Sequence, residues 1–231
     1  MKIAIIGAMK KEITFLLNKI GLYQETKYKK FTFFEGNLFN HQLVVVESGI
    51  GKVASGILFS ALMCQYPDID LAINIGVSGG ILGKTNIGDI VVAAKLKYAD
   101  VDVTVDSEYL YGQLPNCPLS FPSRIDLIKK IDKLSIDYHK GTILTGDQFF
   151  HEFDIINNLI LQYFHDDNVL CLDMESTALA QSAWFYEVDY LAIRAISDLI
   201  GKNFQFQEYL DNVEKACVNS NLFLLEVLKY I

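Results

Sequence analysis

Several sequence features that indicate particular functions are missing from this chain. Its four cysteines are scattered without a CxxC pair, and its four histidines lack the spacing of metal ligands. We therefore expect reduced thiols, no metal site and no resident cofactor. No apolar stretch is long enough to cross a bilayer, and the opening apolar run is too short for a signal peptide. The sequence predicts a cytoplasmic protein.

Positive charge is also scarce. Twenty Lys and Arg residues stand against 28 Asp and Glu residues, which leaves a formal net charge of −8. The only arginines are Arg124 and Arg194, and the longest basic run is the short segment from Lys27 to Lys30. An acidic chain of this kind is repelled by nucleic acids and by anionic membranes. We expect neither as a partner.

What is present is enough apolar sequence for a substantial core. At 231 residues, of which 51% are hydrophobic, the chain suits one α/β domain spanning residues 1–231. Apolar runs of strand length alternate with segments of helical periodicity. The strands are expected at Lys2–Ile6, Phe31–Glu35, Leu43–Glu47, Leu71–Ile75, Asp89–Ala94, Tyr98–Thr104, Gly141–Thr145, Val169–Leu172 and Leu191–Ile196.

The stretch from Leu172 to Asp198 is the most informative part of the chain. It predicts a strand end, a helix over Ser176–Glu187, and a further strand that stops at Ser197 and Asp198. Strands joined by such a helix are expected to be parallel, with their carboxyl ends at one sheet edge. That edge would carry Asp173, Glu175, Ser197 and Asp198. Three carboxylates there favour proton chemistry on a small polar molecule, although helix capping alone also explains such residues.

Three other segments follow predicted strands in the same way. Glu12 lies in the first turn of a helix after the first strand, where capping and function are both open interpretations. The glycine-rich segment 76–80 predicts a loop that a ligand can approach closely. Phe149 and Phe150 fit either a core position or a platform for a flat base. Their predicted convergence on one edge favours a functional site.

The chain resembles the 5′-methylthioadenosine/S-adenosylhomocysteine nucleosidases, a family of the nucleoside phosphorylase superfamily. The resemblance extends over nearly the whole sequence. It is carried by the ordered segments IGAMKKE, SGIGK, NIGVSGG, GDIVV, YGQLP, TGDQF, DMES and RAISD. It implies a twisted mixed sheet flanked by helices, a homodimer, and hydrolysis of an N-ribosidic bond that yields adenine and a thioribose.

The resemblance also implies roles for individual residues. Glu12 corresponds to the general base for water, Asp198 to the acid that protonates adenine N7, and Glu175 to the group that holds the ribose hydroxyls. The other implied substrate contacts are Met9, Ile50, Val77, Ser78, Gly79, Phe149, Phe150, Asp173, Met174, Arg194, Ser197 and Phe206. The segment lining the alkylthio pocket, partly from the neighbouring subunit, is represented by Val103, Tyr109 and Pro115.

The sequence departs from the family pattern at Val77, where a serine is frequent, and at Lys10 and Lys11, which replace acidic residues. Three alternatives stay open. An aminodeoxyfutalosine-type nucleosidase cleaves the same bond in a substrate with a different 5′ group. A purine nucleoside phosphorylase needs cations around phosphate, and two arginines are few for that purpose. A non-catalytic nucleoside-binding protein would not need Glu12, Glu175 and Asp198 together.

Overall fold

The computed structural model describes all 231 residues. The chain forms ten strands and six helices. In order they are β1 (Lys2–Gly7), α1 (Lys10–Ile20), β2 (Tyr23–Tyr28), β3 (Phe31–Leu38), β4 (His41–Glu47), α2 (Lys52–Gln65), β5 (Leu71–Ile81), β6 (Ile90–Tyr98), β7 (Phe121–Pro122), α3 (Ile125–Ile131), β8 (His139–Thr145), α4 (Phe153–Tyr163), β9 (Val169–Asp173), α5 (Ser176–Phe185), β10 (Asp189–Ile200) and α6 (Gln205–Tyr230).

All ten strands belong to one mixed sheet, which confirms the predicted fold class. Along the sheet the order is β10-β6-β8-β9-β5-β1-β4-β3-β2, and the short β7 pairs with β6. Because β5 also pairs with β10, the strands β5, β10, β6, β8 and β9 close into a ring. From β5 the sheet continues as an open, twisted sheet of four strands, β1, β4, β3 and β2.

Helices pack against both faces of the sheet. The apolar residues of α1 and α6, such as Ile13, Leu16 and Phe223, pack in one buried cluster with β1, β5 and β10. Those of α2 and α5, such as Phe59 and Leu179, pack in a second cluster against the opposite face. None of the six helices combines the length and the apolar character needed to cross a membrane.

Two predicted strand ends are wrong, because β5 and β10 are longer than their apolar runs. The glycine-rich segment 76–80 is not a loop but the second half of β5, paired with β10 through Ile81 and Ile200. Its glycines allow strands to approach, since a Cβ on Gly80 would lie 2.8 Å from Cγ2 of Ile196. Likewise, Ser197 and Asp198 lie inside β10, beside a register shift between Ile196 and Asp198.

The prediction of two strands between Asp89 and Thr104 is also wrong. One strand, β6, runs to Tyr98, and residues 99–120 contain neither helix nor strand. The two lysines that interrupt the apolar pattern of β6, Lys95 and Lys97, both form ion pairs with Asp167. Lys97 is buried and its Nζ lies 2.5 Å from Asp167, which Lys95 also approaches at 3.5 Å.

The predicted parallel arrangement of β9 and β10 is a further error. β9 runs antiparallel to β5, whereas β10 runs parallel to it, so β9 and β10 point in opposite directions. Their carboxyl ends therefore do not share an edge of a flat sheet. They come together because the sheet closes into a ring and because both strands flank the carboxyl-terminal part of β5.

Candidate active site

A cavity of about 270 Å³ lies where β1, β5, β9 and β10 meet the beginning of α6. It brings together 14 of the residues singled out from the sequence, although they come from seven separate segments. They are Met9, Glu12, Ile50, Val77, Ser78, Gly79, Phe149, Phe150, Asp173, Met174, Glu175, Ser197, Asp198 and Phe206.

Strand register explains this convergence. Gly79 in β5 pairs with Leu172 of β9 on one side and with Asp198 of β10 on the other. Because β9 is antiparallel to β5, its carboxyl end passes alongside Ser78 and delivers Asp173 and the following residues to the cavity. A side chain at Gly79 would crowd the site, since its Cβ would lie 3.2 Å from Oδ2 of Asp198.

Glu12 is held by three backbone amides. Its Oε2 accepts hydrogen bonds from Ala8 N at 2.6 Å and Met9 N at 3.0 Å, and its Oε1 accepts one from Val77 N at 3.1 Å. The side chain is 2% exposed. Burial raises the pKa of Glu12, while the Arg194 guanidinium and the three amides oppose that rise. The capping interpretation is therefore correct for its hydrogen bonds, yet the carboxyl also borders the cavity.

Glu175 occupies the turn between β9 and α5. Its Oε1 accepts a hydrogen bond from Gly51 N at 3.0 Å, which joins the start of α2 to the cavity. Burial, together with the charge of Asp173, raises the pKa of Glu175 to about 7, although the Arg194 guanidinium acts in the opposite direction. Glu175 therefore keeps a proton to a higher pH than an exposed glutamate does.

Asp198 is 2% exposed and has no cationic partner. Burial raises its pKa, helped by the charge of Glu208, while hydrogen bonds from Ser197 and Gln205 limit the rise. Ser197 Oγ lies 2.7 Å from Oδ1, and Gln205 Nε2 lies 2.7 Å from Oδ2. Asp198 therefore keeps a proton to a higher pH than an exposed aspartate does.

Arg194, which the resemblance implies as a substrate contact, does not border the cavity of this chain. Its guanidinium lies under the site, 1% exposed, with Nε donating to Asp173 Oδ2 at 2.9 Å and Nη2 donating to Asn74 Oδ1. Asp173 touches the cavity, but Arg194 and the hydroxyl of Thr145, at 2.6 Å, engage its carboxylate. Arg194 therefore acts on the carboxyls of the site through its charge rather than through contact with the cavity.

Aromatic rings form one wall of the cavity. The ring centroids of Phe149, Phe206 and Tyr209 lie 5.9 to 6.0 Å from one another. Tyr209 and Gln205 line the cavity but were not identified from the sequence. They are four residues apart at the start of α6, so both side chains lie on the same face of the helix. This spacing, visible in the sequence, could have identified them as a pair.

Three residues expected near the alkylthio group stay outside the cavity of this chain. Val103, Tyr109 and Pro115 belong to the irregular segment 99–120 and are half-buried or exposed. Their expected source was partly a neighbouring subunit, so their position in one chain does not test that expectation. The structure contains no group of three or more His, Cys, Asp or Glu side chains arranged to hold a metal ion.

Known proteins share both the sequence and the fold. Residues 2–229 match the family model described as the phosphorylase superfamily. The chain is 35% identical over 234 residues to a 5′-methylthioadenosine/S-adenosylhomocysteine nucleosidase of Maridesulfovibrio salexigens, covering 99% of both proteins. The S. pneumoniae nucleosidase of this name, solved with the transition-state inhibitor MT-ImmA, has a TM-score of 0.92 at 35% identity and covers 100% of this chain and 99% of its own. A futalosine hydrolase mutant of Helicobacter pylori shares the fold, with a TM-score of 0.91, 24% identity and coverage of 100% and 99%.

The fold is that of the phosphorylase superfamily, and the chain belongs to it. Within that superfamily, the chain belongs to the 5′-methylthioadenosine/S-adenosylhomocysteine nucleosidase family. It is a hydrolase that acts on N-glycosyl compounds.

Proposed function

We propose that this enzyme hydrolyses the N-ribosidic bond of 5′-methylthioadenosine and S-adenosylhomocysteine, releasing adenine and the corresponding thioribose. The observation that carries the proposal is that Glu12 and Asp198 border one cavity from different elements. Glu12 bonds to Val77, and Asp198 pairs with Gly79, two residues further along β5. Two residues of strand span about 7 Å, which leaves room for a sugar between the two carboxyls.

Asp198 would act as the general acid. Cleavage leaves negative charge on the departing adenine, and protonation at N7 makes that base a better leaving group. The raised pKa of Asp198, caused by its burial, supports this role because the carboxyl must be protonated before it can donate. The rate is therefore expected to fall as pH rises through that pKa.

Glu12 would orient and deprotonate the attacking water. Three backbone amides fix its carboxylate, and preorganisation of this kind reduces the rearrangement needed to reach the transition state. The nearby Arg194 charge favours the ionised form that a base requires. We expect the rate to fall as pH decreases through the pKa of Glu12, because the protonated carboxyl cannot accept a proton.

Glu175 would bind the ribose hydroxyls, with Met174 beside it. Its Oε1 is occupied by Gly51 N, which leaves Oε2 available to the sugar. As the bond breaks, positive charge develops on the ribose, and the ionised form of Glu175 would stabilise it. The division of work between an acid carboxyl and a base carboxylate resembles that of the paired-carboxylate glycosidases.

The purine would lie between the aromatic wall and the glycine of β5. Phe149 and Phe206 offer ring faces, the backbone of Phe150 offers polar groups to the purine edge, and Gly79 allows close approach. Phosphate would find no partner, because no lysine or arginine borders the cavity. The absence of cations from the cavity lining favours water over phosphate as the nucleophile.

A homodimer would complete the 5′ side of the site. Ile50 borders the cavity and is 57% exposed, and Val53 and Ile57 continue the same apolar surface along α2 at 71% and 58% exposure. An apolar surface of this kind next to a binding site favours a protein partner. A second copy seated there would supply Val103, Tyr109 and Pro115.

The main test compares wild type with Asp198→Asn. We expect kcat to fall by about 10²- to 10⁴-fold while adenine binding and the fold persist, because asparagine preserves shape but cannot donate the proton. Adenine release and the sugar product are measured for methylthioadenosine, adenosylhomocysteine and aminodeoxyfutalosine, each with and without phosphate.

The matched control is Asp211→Asn, which changes an exposed aspartate of α6 that accepts a hydrogen bond from Gln207. It should retain wild-type kcat. Turnover near the wild-type level in Asp198→Asn would remove Asp198 from the acid role. A phosphorylated sugar product would refute hydrolysis, and release of adenine from aminodeoxyfutalosine alone would replace the proposed substrates.

A further inference from the structure

Gln205, the first residue of α6, joins two groups that face the cavity. Its Nε2 donates hydrogen bonds to Asp198 Oδ2 at 2.7 Å and to the backbone oxygen of Phe150 at 2.9 Å. Its Oε1 accepts a hydrogen bond from Gly201 N at 3.0 Å. The residue is 5% exposed, so water does not compete freely for these bonds.

The side-chain nitrogen of Gln205 is thus hydrogen-bonded both to Asp198, the expected acid, and to the Phe150 backbone, which is expected to contact the purine edge. A carboxyl oxygen and a backbone oxygen each have a second lone pair, so a bound base can use both groups while Gln205 stays in place. The bond from Gly201 anchors the amide from its other end. The separation between Asp198 and Phe150 is therefore fixed before substrate binds.

The same bond distinguishes the two oxygens of Asp198. An amide N–H needs an acceptor, and in a protonated carboxyl the carbonyl oxygen is the better acceptor. Gln205 on Oδ2 therefore leaves the proton on Oδ1. Ser197 Oγ, 2.7 Å from Oδ1, has an alternative acceptor in Ser78 O at 3.3 Å, so it can turn away when Oδ1 carries the proton.

We propose that Gln205 is a positioning residue for N-ribosidic cleavage, which directs the transferable proton of Asp198 to Oδ1 and sets its distance from the Phe150 carbonyl. This inference rests on the proposed function. A purely structural role in the turn after β10 would need only the bond from Gly201 N. Such a role leaves unexplained the hydrogen bonds that Gln205 Nε2 donates to Asp198 Oδ2 and to the Phe150 carbonyl oxygen.

Other titratable groups near Asp198 must be kept constant in the test. On α6 these are Glu208, which Lys202 approaches at 2.7 Å, and Tyr209. Across the cavity they are Glu12 and Glu175. Gln205→Leu leaves all of these residues unchanged and adds no charge, so a shift in the titration of Asp198 in that variant reports on the lost hydrogen bond.

The test compares Gln205→Leu and Gln205→Glu with wild type in two measurements. The first is the pKa of Asp198 in the unliganded full-length protein, from ¹³C NMR titration of aspartate carboxyls with Asp198→Asn identifying the signal. The second is the pH dependence of kcat. We expect the Asp198 pKa and the alkaline limb of kcat to move to higher pH in Gln205→Leu, because the carboxylate loses a donor, and further in Gln205→Glu, which adds a neighbouring charge.

We also expect kcat at its optimum to fall about tenfold in Gln205→Leu, the effect of one misplaced hydrogen bond. Gln205→Glu keeps an acceptor for Gly201 N and nearly the same shape, so it provides the answer if the leucine variant does not fold. Gln207→Leu is the matched control, since Gln207 is exposed and bonds to Asp211 instead.

An Asp198 pKa unchanged in both Gln205 variants, or a kcat equal to that of Gln207→Leu, would refute the positioning role. The NMR titration requires no turnover. A wild-type protein that releases no adenine would therefore refute the proposed function separately, without being confused with a failure of this inference.

Discussion

Glu12, Glu175 and Asp198 show how similar side chains acquire different properties from their surroundings. Burial raises the pKa of all three. Glu12 has three amide donors and the charge of Arg194 to favour its ionised form, whereas Asp198 has only neutral donors. The base and the acid of the proposed reaction are therefore separated by their hydrogen-bond partners and by distance from one buried cation.

The raised pKa values also set the sign of the pH dependence of stability. In the unfolded chain these carboxyls release their protons near pH 4 to 4.5, whereas the folded protein retains them to higher pH. The folded state thus binds more protons in the window from about pH 4 to the folded pKa values. The free energy of unfolding consequently decreases as pH rises through that window, which for Glu175 reaches about 7.

Glu175→Gln should remove part of this cost, because the amide is never ionised. We expect the free energy of unfolding to rise by about 2 kcal/mol at pH 8 and to change little at pH 4, while kcat falls. Denaturant unfolding at both pH values and one protomer concentration measures the effect. The exposed Glu214→Gln is the control, and an equal gain at both pH values would contradict the linkage.

At the scale of elements, β5 controls the site because the carboxyl-bearing segments pack directly against its backbone. Gly76 lies against Glu12, and Gly79 lies between Leu172 and Asp198. A strand with larger side chains at these positions would push the carboxyl groups out of the cavity. The glycines thus position acidic residues rather than create a flexible loop.

Gly76→Ala tests this role of β5. The new Cβ would lie 2.9 Å from Cδ of Glu12 and nearer still to Oε1, so the carboxylate must leave Val77 N. We expect kcat to fall at least about 100-fold, with the fold retained. Steady-state kinetics and thermal unfolding separate the two effects.

Gly56→Ala in α2 is the matched control, because its Cβ would meet only Ser182 Oγ at 4.0 Å, inside the contact between α2 and α5. It should keep wild-type kcat and gain about 0.5 to 1 kcal/mol of stability, since alanine favours a helix over glycine. Full activity in Gly76→Ala would show that Glu12 does not need its present position.

At the scale of the whole molecule, the proposed dimer is open to direct test. Val53→Glu places a charge on the exposed apolar surface of α2, in the first turn of the helix, where a carboxylate favours helix formation. We expect a folded monomer of 26.1 kDa in place of a dimer, and a KM for methylthioadenosine raised about tenfold. Light scattering and kinetics at matched concentration provide the measurements.

Leu22→Glu is the control, since Leu22 is 92% exposed but does not border the cavity. It should leave both the mass and KM unchanged. A wild-type mass of one chain, or a dimeric Val53→Glu with normal KM, would contradict the proposed interface.

The segments that the sequence predicted well share one property, a strong local pattern. Continuous apolar runs identified β1, β8 and β9, and helical periodicity identified α1 and α4. The polar edge strand β2 was missed because its residues are mostly exposed and carry no alternation of apolar side chains. The second halves of β5 and β10 were missed because glycine and polar residues there pair with other strands instead of forming an apolar run.

The sequence by itself determined the fold class, the chemistry available and most cavity residues, because these depend on residue type and on short-range order along the chain. Only the tertiary structure decided that β9 and β10 are antiparallel, that Arg194 lies under the site, and that Gln205 holds Asp198. Each of these depends on which strands pair and in which register. That choice joins residues far apart in the chain, and no local pattern encodes it.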